Sequence, residues 1–230
     1  MLKVHQFACL SDNYGFLLHD PDSQETTCID TPDAAAYLRE AAALGWQITQ
    51  IWNTHWHPDH AGGNAAIKAA TGCTVTGPHE VERLGTAPDC VVEHGATVML
   101  GDHTAQVIDV GGHTNGHIAY HLPTAETAFV GDAVFALGCG RMFEGTAPQF
   151  WASLSRIKAL PPATMLYCAH EYTASNARFA LHADPDNAAL QDYAAKIARL
   201  RADDPELAAR WGGGDAAATF AALRAAKDSF

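Results

Sequence analysis

The chain has 230 residues, 48% of them hydrophobic and 17% charged, which predicts one folded domain with a small appendage and excludes a disordered protein. Its 14 basic and 26 acidic residues leave a formal net charge of −12. That field repels phosphate backbones, so general nucleic-acid binding and anionic-membrane binding are excluded as functions.

The first residues, Met1 to Phe7, show no basic segment followed by an apolar core, so no secretory signal is expected. No apolar run is long enough to span a membrane. Residues 4–18 read as strand, turn, strand around Ser11-Asp12-Asn13. Residues 26–30 read as a strand ending in an acid, Asp30. Asp33 is placed to N-cap a helix running to residue 43, with Gly45 as its stop. Residues 47–53 form a β-rich run, 61–70 a helix closed by Gly72, and 73–76 a buried strand. Short strands then recur at 97–100, 105–110, 117–122 and 127–130 between Gly and Asp turns. A helix at 151–160 ends at Pro161-Pro162, and 165–168 is a last short strand. From about residue 173 the chain is Ala-rich with helical spacing, predicting helices at 189–201, 205–211 and 216–227, with Gly212-Gly213-Gly214 as a joint. The pattern predicts an α/β core with a small helical appendage, divided as residues 1–170 and 171–230.

The chemistry is concentrated in the histidines, of which there are 13. Thr54-His55-Trp56-His57-Pro58-Asp59-His60 follows the run 47–53. In an extended segment His55 and His57 point to one side, and Pro58 turns the chain so that Asp59 and His60 face the same cavity. Imidazoles plus a carboxylate suit Zn, Fe or Mn. Further donors stand after later strands: His113 in Gly111-Gly112-His113, Asp132 after Gly131, and His170 after Cys168-Ala169. His117 reads as a supporting residue. His55, His57, Asp59, His60, His113, Asp132 and His170 exceed what one ion takes. With Asp132 able to bridge, they suit two divalent ions about 3.5–4 Å apart, which would lower the pKa of a shared water towards neutrality. Asp59 and Asp132 are the carboxylates assigned to catalysis. The cysteines, 6 in number, form no CxxC pair and read as reduced thiols of a cytoplasmic protein.

Residues 54–60, with His113, Asp132 and His170 in that order, resemble the signature of the metallo-β-lactamase fold. Gly111-Gly112-His113-Thr114-Asn115-Gly116-His117, Gly131-Asp132, Gly138-Cys139-Gly140-Arg141-Met142-Phe143-Glu144-Gly145, His170-Glu171-Tyr172-Thr173 and Leu10-Ser11-Asp12-Asn13-Tyr14 resemble the glyoxalase II (hydroxyacylglutathione hydrolase) family over essentially the whole chain. The resemblance implies a four-layer αββα sandwich with a helical C-terminal appendage. It implies hydrolysis of S-D-lactoylglutathione to D-lactate and glutathione by a metal-bridging hydroxide. It pairs His55, His57 and His113 on one ion and Asp59, His60 and His170 on the other, with Asp132 between, zinc being the first choice over iron or manganese. It assigns Arg141, Phe143, Tyr172, Arg224 and Lys227 to the glutathione thioester. Phe143 stands where the family has tyrosine, which keeps the ring and removes a hydrogen bond of about 0.5–1.5 kcal/mol. Arg224 and Lys227 share one helix face, a spacing that by itself reads as a solvated surface. A monomer is expected. The alternatives are a glutathione persulfide dioxygenase with a single iron, a lactonase-like hydrolase on the same fold, and a structural metal module, which would be expected to use cysteine ligands.

Overall fold

A computed structural model describes residues 1–85 and 87–203. In chain order the strands are β1 (Lys3–Cys9), β2 (Asn13–His19), β3 (Thr26–Ile29), β4 (Ile48–Trp52), β5 (Thr74–Gly77), β6 (Cys90–Val91), β7 (Thr97–Leu100), β8 (His103–Asp109), β9 (Ile118–Leu122), β10 (Thr127–Gly131), β11 (Val134–Phe135), β12 (Gly138–Cys139) and β13 (Met165–Cys168). The helices are α1 (Ala34–Leu44), α2 (Pro58–Ala61), α3 (Asn64–Thr71), α4 (Ala147–Lys158), α5 (Thr173–Ala183) and α6 (Ala188–Asp203). The chain divides into two compact units, one of Met1–Phe135 with Cys139–Glu171, the other of Ala136–Gly138 with the chain from Tyr172 onward.

In the first unit, β1 to β6 lie side by side in sequence order as one sheet, and a second sheet runs β13-β10-β9-β8-β7. The side-chain period of two explains the layering. Leu17, Cys28 and Ile51 point to one face, where they meet Tyr37, Ala41 and Ile67 of α1 and α3. Phe16, Leu18, Ile29 and Trp52 point to the other face, where they meet Val107, Tyr120 and Phe129 of the second sheet. Beyond that sheet, Ala119, Ala128 and Val130 pack under Phe150 and Ile157 of α4. Three apolar seams thus separate four layers, helix, sheet, sheet and helix, as expected. In the second unit α5 packs on α6, and Asn176 Nδ2 donates to the carbonyl of Ala136 at 3.1 Å.

Local signals act as read at α1, where the Asp33 side chain accepts from Ala35 and Ala36 and Gly45 closes the helix at φ 69°. Two helices differ from expectation. The one predicted over 61–70 is broken into α2 and α3, because Gly62 and Gly63 sit against backbone: a Cβ there would lie 2.3 Å from the Pro58 carbonyl and 2.6 Å from that of Thr31. The break frees the α2 turn carrying Asp59 and His60. The helix predicted from 151 starts at Ala147, since Thr146 and Gln149 form a capping box with Pro148 in the first turn. The helix predicted at 189–201 is α6; those at 205–211 and 216–227, and the joint at 212–214, lie outside the described residues.

Tyr37 ties α1 to the first sheet. Fully buried, its hydroxyl accepts from Phe16 N at 3.0 Å and donates to the Ile29 carbonyl at 2.8 Å. Tyr37→Phe leaves both backbone groups unpaired. We expect it to lower stability by about 1–3 kcal/mol, read as a lower denaturant midpoint with an unchanged slope.

Candidate metal centre

The donors stand at the carboxyl ends of strands, where open α/β sheets place their ligands. β4 runs into His55 and His57, and the α2 turn presents Asp59 and His60. β8 is followed by His113, β10 by Asp132, and β13 by His170. Gly131, just before Asp132, adopts φ 50°, and a Cβ there would lie 2.6 Å from Thr54 Oγ1. Only glycine allows that approach of β10 to the His55 loop.

These ends converge. The nitrogens of His55, His57 and His113 lie within 4.8 Å of one another, as do the ligand atoms of Asp59, His60 and His170. His57 Nδ1 is 3.0 Å from both His55 Nε2 and His113 Nε2. His60 Nε2 and His170 Nε2 are 3.2 Å apart. Asp132 stands between the groups: Oδ1 is 3.3 Å from His60 Nε2 and from His170 Nε2, and Oδ2 is 3.3 Å from His113 Nε2. All seven predicted donors are therefore brought together.

The outer ring nitrogens explain what the inner ones carry. His60 Nδ1 is 2.9 Å from Asp30 Oδ2, His170 Nδ1 2.9 Å from Asp12 Oδ1, and His113 Nδ1 2.8 Å from the Arg141 carbonyl. Each partner is an acceptor, so each Nδ1 donates. The Thr54 hydroxyl donates to Asp30 Oδ2 at 2.8 Å, so its oxygen accepts from His55 Nδ1 at 3.0 Å. In the neutral rings the four Nε2 atoms then present lone pairs inward, at each other and at the carboxylate. Asp132 Oδ1 is buried, and while those rings are neutral no hydrogen bond satisfies it among the described residues. Lone pairs gathered face to face in a buried site repel unless positive charge lies among them, whether protons on the inner nitrogens or a metal ion, so the donor set fits divalent metal.

The charge balance differs across the centre. Burial lowers the pKa of His55, His57 and His113, with neighbouring histidines adding to the effect at His55 and His57. Burial also opposes charge on His60, but Asp132 and Asp30 outweigh it and hold His60 well above the ordinary value. At His170 burial is likewise outweighed, by Asp12 and Asp132, and the pKa rises to about 9. Asp132 is held well below the carboxylate range by His60 and His170 despite its burial. His117 is pushed down to about 3 by burial and by His113. It stacks on His55 at 4.6 Å and its Nε2 accepts from Asp132 N at 3.1 Å, the supporting place read from the sequence.

The remaining predicted residues fall into three groups. Arg141 and Phe143 stand at the rim: the guanidinium lies 5.5 Å from the Phe143 ring centre, and that ring meets His57 and His113 edge-on. Tyr172 belongs to the second unit, immediately before α5. Arg224 and Lys227 lie outside the described residues.

Asp30, Thr54 and Asp12 were not singled out as site residues. Asp30 groups with His55 and His60, but its oxygens already accept from Thr54 N, Thr54 Oγ1 and His60 Nδ1, so it orients rings. It does so from φ 56°, a conformation that aspartate tolerates better than most residues. Its position as an acid ending a strand was the one available signal.

Comparison with known proteins agrees with this geometry. Residues 25–170 match the family model of the metallo-beta-lactamase superfamily, and residues 171–204 match that of the hydroxyacylglutathione hydrolase C-terminus. The hydroxyacylglutathione hydrolase of Erythrobacter litoralis is 65% identical, with 100% of both chains covered, and that of Hyphomonas neptunium is 54% identical, covering 100% of this chain and 99% of the other. Among solved structures, ETHE1 from Myxococcus xanthus superposes with a TM-score of 0.65 at 30% identity, over 74% of this chain and 76% of that one. The BLEG-1 B3 metallo-beta-lactamase gives 0.66 at 22% identity, over 74% and 92%, and bears on the fold alone. The fold, the convergent donors and the full-length identity lead to one conclusion: the chain belongs to the hydroxyacylglutathione hydrolase family of the metallo-beta-lactamase superfamily.

Proposed function

We propose that this chain hydrolyses S-D-lactoylglutathione and related 2-hydroxyacylglutathione thioesters to the hydroxy acid and glutathione, at a centre of two divalent ions, in methylglyoxal detoxification. The observation that carries the reading is the Asp132 carboxylate set between two donor trios, in a chain 65% identical to a hydroxyacylglutathione hydrolase. His55, His57 and His113 would hold one ion and Asp59, His60 and His170 the other, with Asp132 shared and zinc the first choice. Ions held there acidify bound water and polarise a carbonyl oxygen, which supplies the chemistry that thioester hydrolysis needs. A dioxygenase reading uses a single iron on fewer ligands and leaves one trio without a role. The names of the relatives do not favour it.

The chain's own residues prepare the site. Asp30, Asp12, Thr54 and the Arg141 carbonyl direct the Nδ1 protons of four imidazoles outward, so no ring has to reorient when ions bind. Asp132 keeps its negative charge at neutral pH. Glutathione is a net anion approaching a protein of net charge −12, so it needs local positive charge. Arg141 at the rim offers it, with the Phe143 ring beside it as an apolar surface. We assign the chemistry to residues 1–170 and substrate recognition to residues 171–230 with Arg141 and Phe143, Tyr172, Arg224 and Lys227 included. We take the protein as a monomer in the cytoplasm; the cytoplasm fits six cysteines that form no disulfide among the described residues, three of them buried.

Asp132→Ala should reduce turnover of lactoylglutathione by more than about a hundredfold, since even the outer partners of metal ligands cost ten- to a hundredfold. Wild-type turnover in that variant would refute the bridging role. The glutathione assignment is tested by comparing kcat/KM on lactoylglutathione with that on a simple thioester lacking glutathione. The first should be clearly higher; equal values would leave a hydrolase without glutathione recognition. The chelated protein has a sign-specific pH response. His170 is raised from 6.5 to about 9, so its contribution is fully present below pH about 6.5 and is lost as pH rises through about 9. Chemical denaturation of the metal-free protein should therefore show stability falling by on the order of 1–3 kcal/mol over that window. A flat or rising profile would contradict it.

A further inference from the structure

The two donor trios are braced by different chemistry. In the first, the outer nitrogens of His55 and His113 rest on neutral oxygens, the Thr54 hydroxyl and the Arg141 carbonyl. In the second, His60 and His170 rest on carboxylates, Asp30 and Asp12. Asp30 does not belong to the second trio alone, because it also accepts from Thr54, the hydroxyl that orients His55.

The turn between β1 and β2 does belong to one trio, and it grips two of its three members. Asp12 Oδ1 accepts from His170 Nδ1 at 2.9 Å. The next residue, Asn13, is buried, and its Nδ2 donates to the backbone carbonyl of Asp59 at 3.1 Å and to Asp59 Oδ2 at 3.4 Å. Asn13 also forms a β-bridge with His170, Tyr14 N donates to the Ala169 carbonyl at 2.7 Å, and Glu171 N donates to the Asp12 carbonyl at 3.0 Å. Main chain and side chains of one turn therefore fix both Asp59 and His170. Among the described residues, the Asp12 and Asn13 side chains hydrogen-bond to His170 and Asp59 and not to His55, His57 or His113.

On these contacts we propose that Asp12 and Asn13 are positioning residues for the Asp59–His60–His170 half-site alone, and that this half-site is the tighter of the two. The inference rests on the binuclear reading above. Two effects act together. A carboxylate behind an imidazole makes its inner nitrogen a stronger donor. The second trio also contributes Asp59, giving it a carboxylate of its own where the first trio has three neutral rings, and a divalent cation gains from that negative charge. Asn13 adds geometry: it holds the half-exposed Asp59 carboxylate in place before an ion arrives, reducing the rotamer entropy lost on binding.

The test is metal binding rather than turnover. Chelated protein is titrated with Zn2+ against a competing chromophoric chelator, giving stoichiometry and two dissociation constants for the wild type, Asp12→Ala, Asp12→Asn and Asn13→Ala. The wild type should bind two equivalents with separated affinities. Asp12→Ala and Asn13→Ala should weaken the tighter equivalent by about ten- to a hundredfold and leave the weaker one within a factor of about three. Asp12→Asn keeps an acceptor oxygen and should fall between wild type and Asp12→Ala. Thermal melts of the metal-free forms identify folded variants, and the Asp12→Asn titration decides if either alanine variant does not fold. Unchanged constants in the variants would overturn the proposal, and so would equal weakening of both equivalents or selective weakening of the looser one. A wild-type protein saturating at one equivalent would instead contradict the binuclear reading; the clamp would then stand or fall on whether Asp12→Ala weakens that equivalent.

Discussion

The structure depends on a repulsion held in place. Nε2 of His55, His60, His113 and His170, Nδ1 of His57 and both oxygens of Asp132 are crowded to within 3.0–3.3 Å of a neighbouring donor in a buried space. Such a cluster is unfavourable by itself and does not persist unless the surrounding fold over-determines it. Here the outer hydrogen bonds do so: four rings are pinned by acceptors on their far side, and His117 is packed flat on His55 while holding the Asp132 amide.

The layered architecture is what makes the crowding possible. Because β3, β4, β10 and β13 all deliver their carboxyl ends to the same margin, Asp30, His55, Asp132 and His170 meet without any long excursion of the backbone. The apolar seams behind them, with Trp52, Tyr120 and Phe129 fully or almost fully buried, leave little room for the strand ends to yield. The constraint reaches into loops as well. Gly112, at φ 148°, lies so close to the Phe150 ring that an added Cβ would be 2.4 Å from it, and it sets the position of His113 against α4.

The centre is also uneven. One side is neutral imidazole backed by neutral oxygen, and the other is imidazole backed by carboxylate. The opposite pKa directions of His113 and His170 express the same difference, since each ring responds to the charge behind it as well as to burial. An anionic substrate would approach from the rim carrying Arg141 and Phe143, next to the less negative side.

Much of this was legible in order of residues alone. The β-rich run at 47–53 and the short apolar run at 127–130 before Gly131 marked strands, the Asp33 and Gly45 signals bounded a helix, and His55-x-His57-x-Asp59-His60 is too dense in donors to be a casual loop. What could not be read were partners distant in sequence. Nothing near Asp12 indicates that it backs His170, because that bond spans 158 positions and arises only when two sheet edges meet. The split of the helix after Ala61 was hidden in part for the same reason, since Gly63 sits against, and donates to, the carbonyl of distant Thr31. Which donor types exist, and which strand each follows, is a property of the sequence, since it needs only residue identity and short-range periodicity. Which nitrogen of each ring faces inward, and which charge stands behind it, was decided by tertiary packing, because a ring's tautomer is chosen by whatever acceptor the fold brings to its far side.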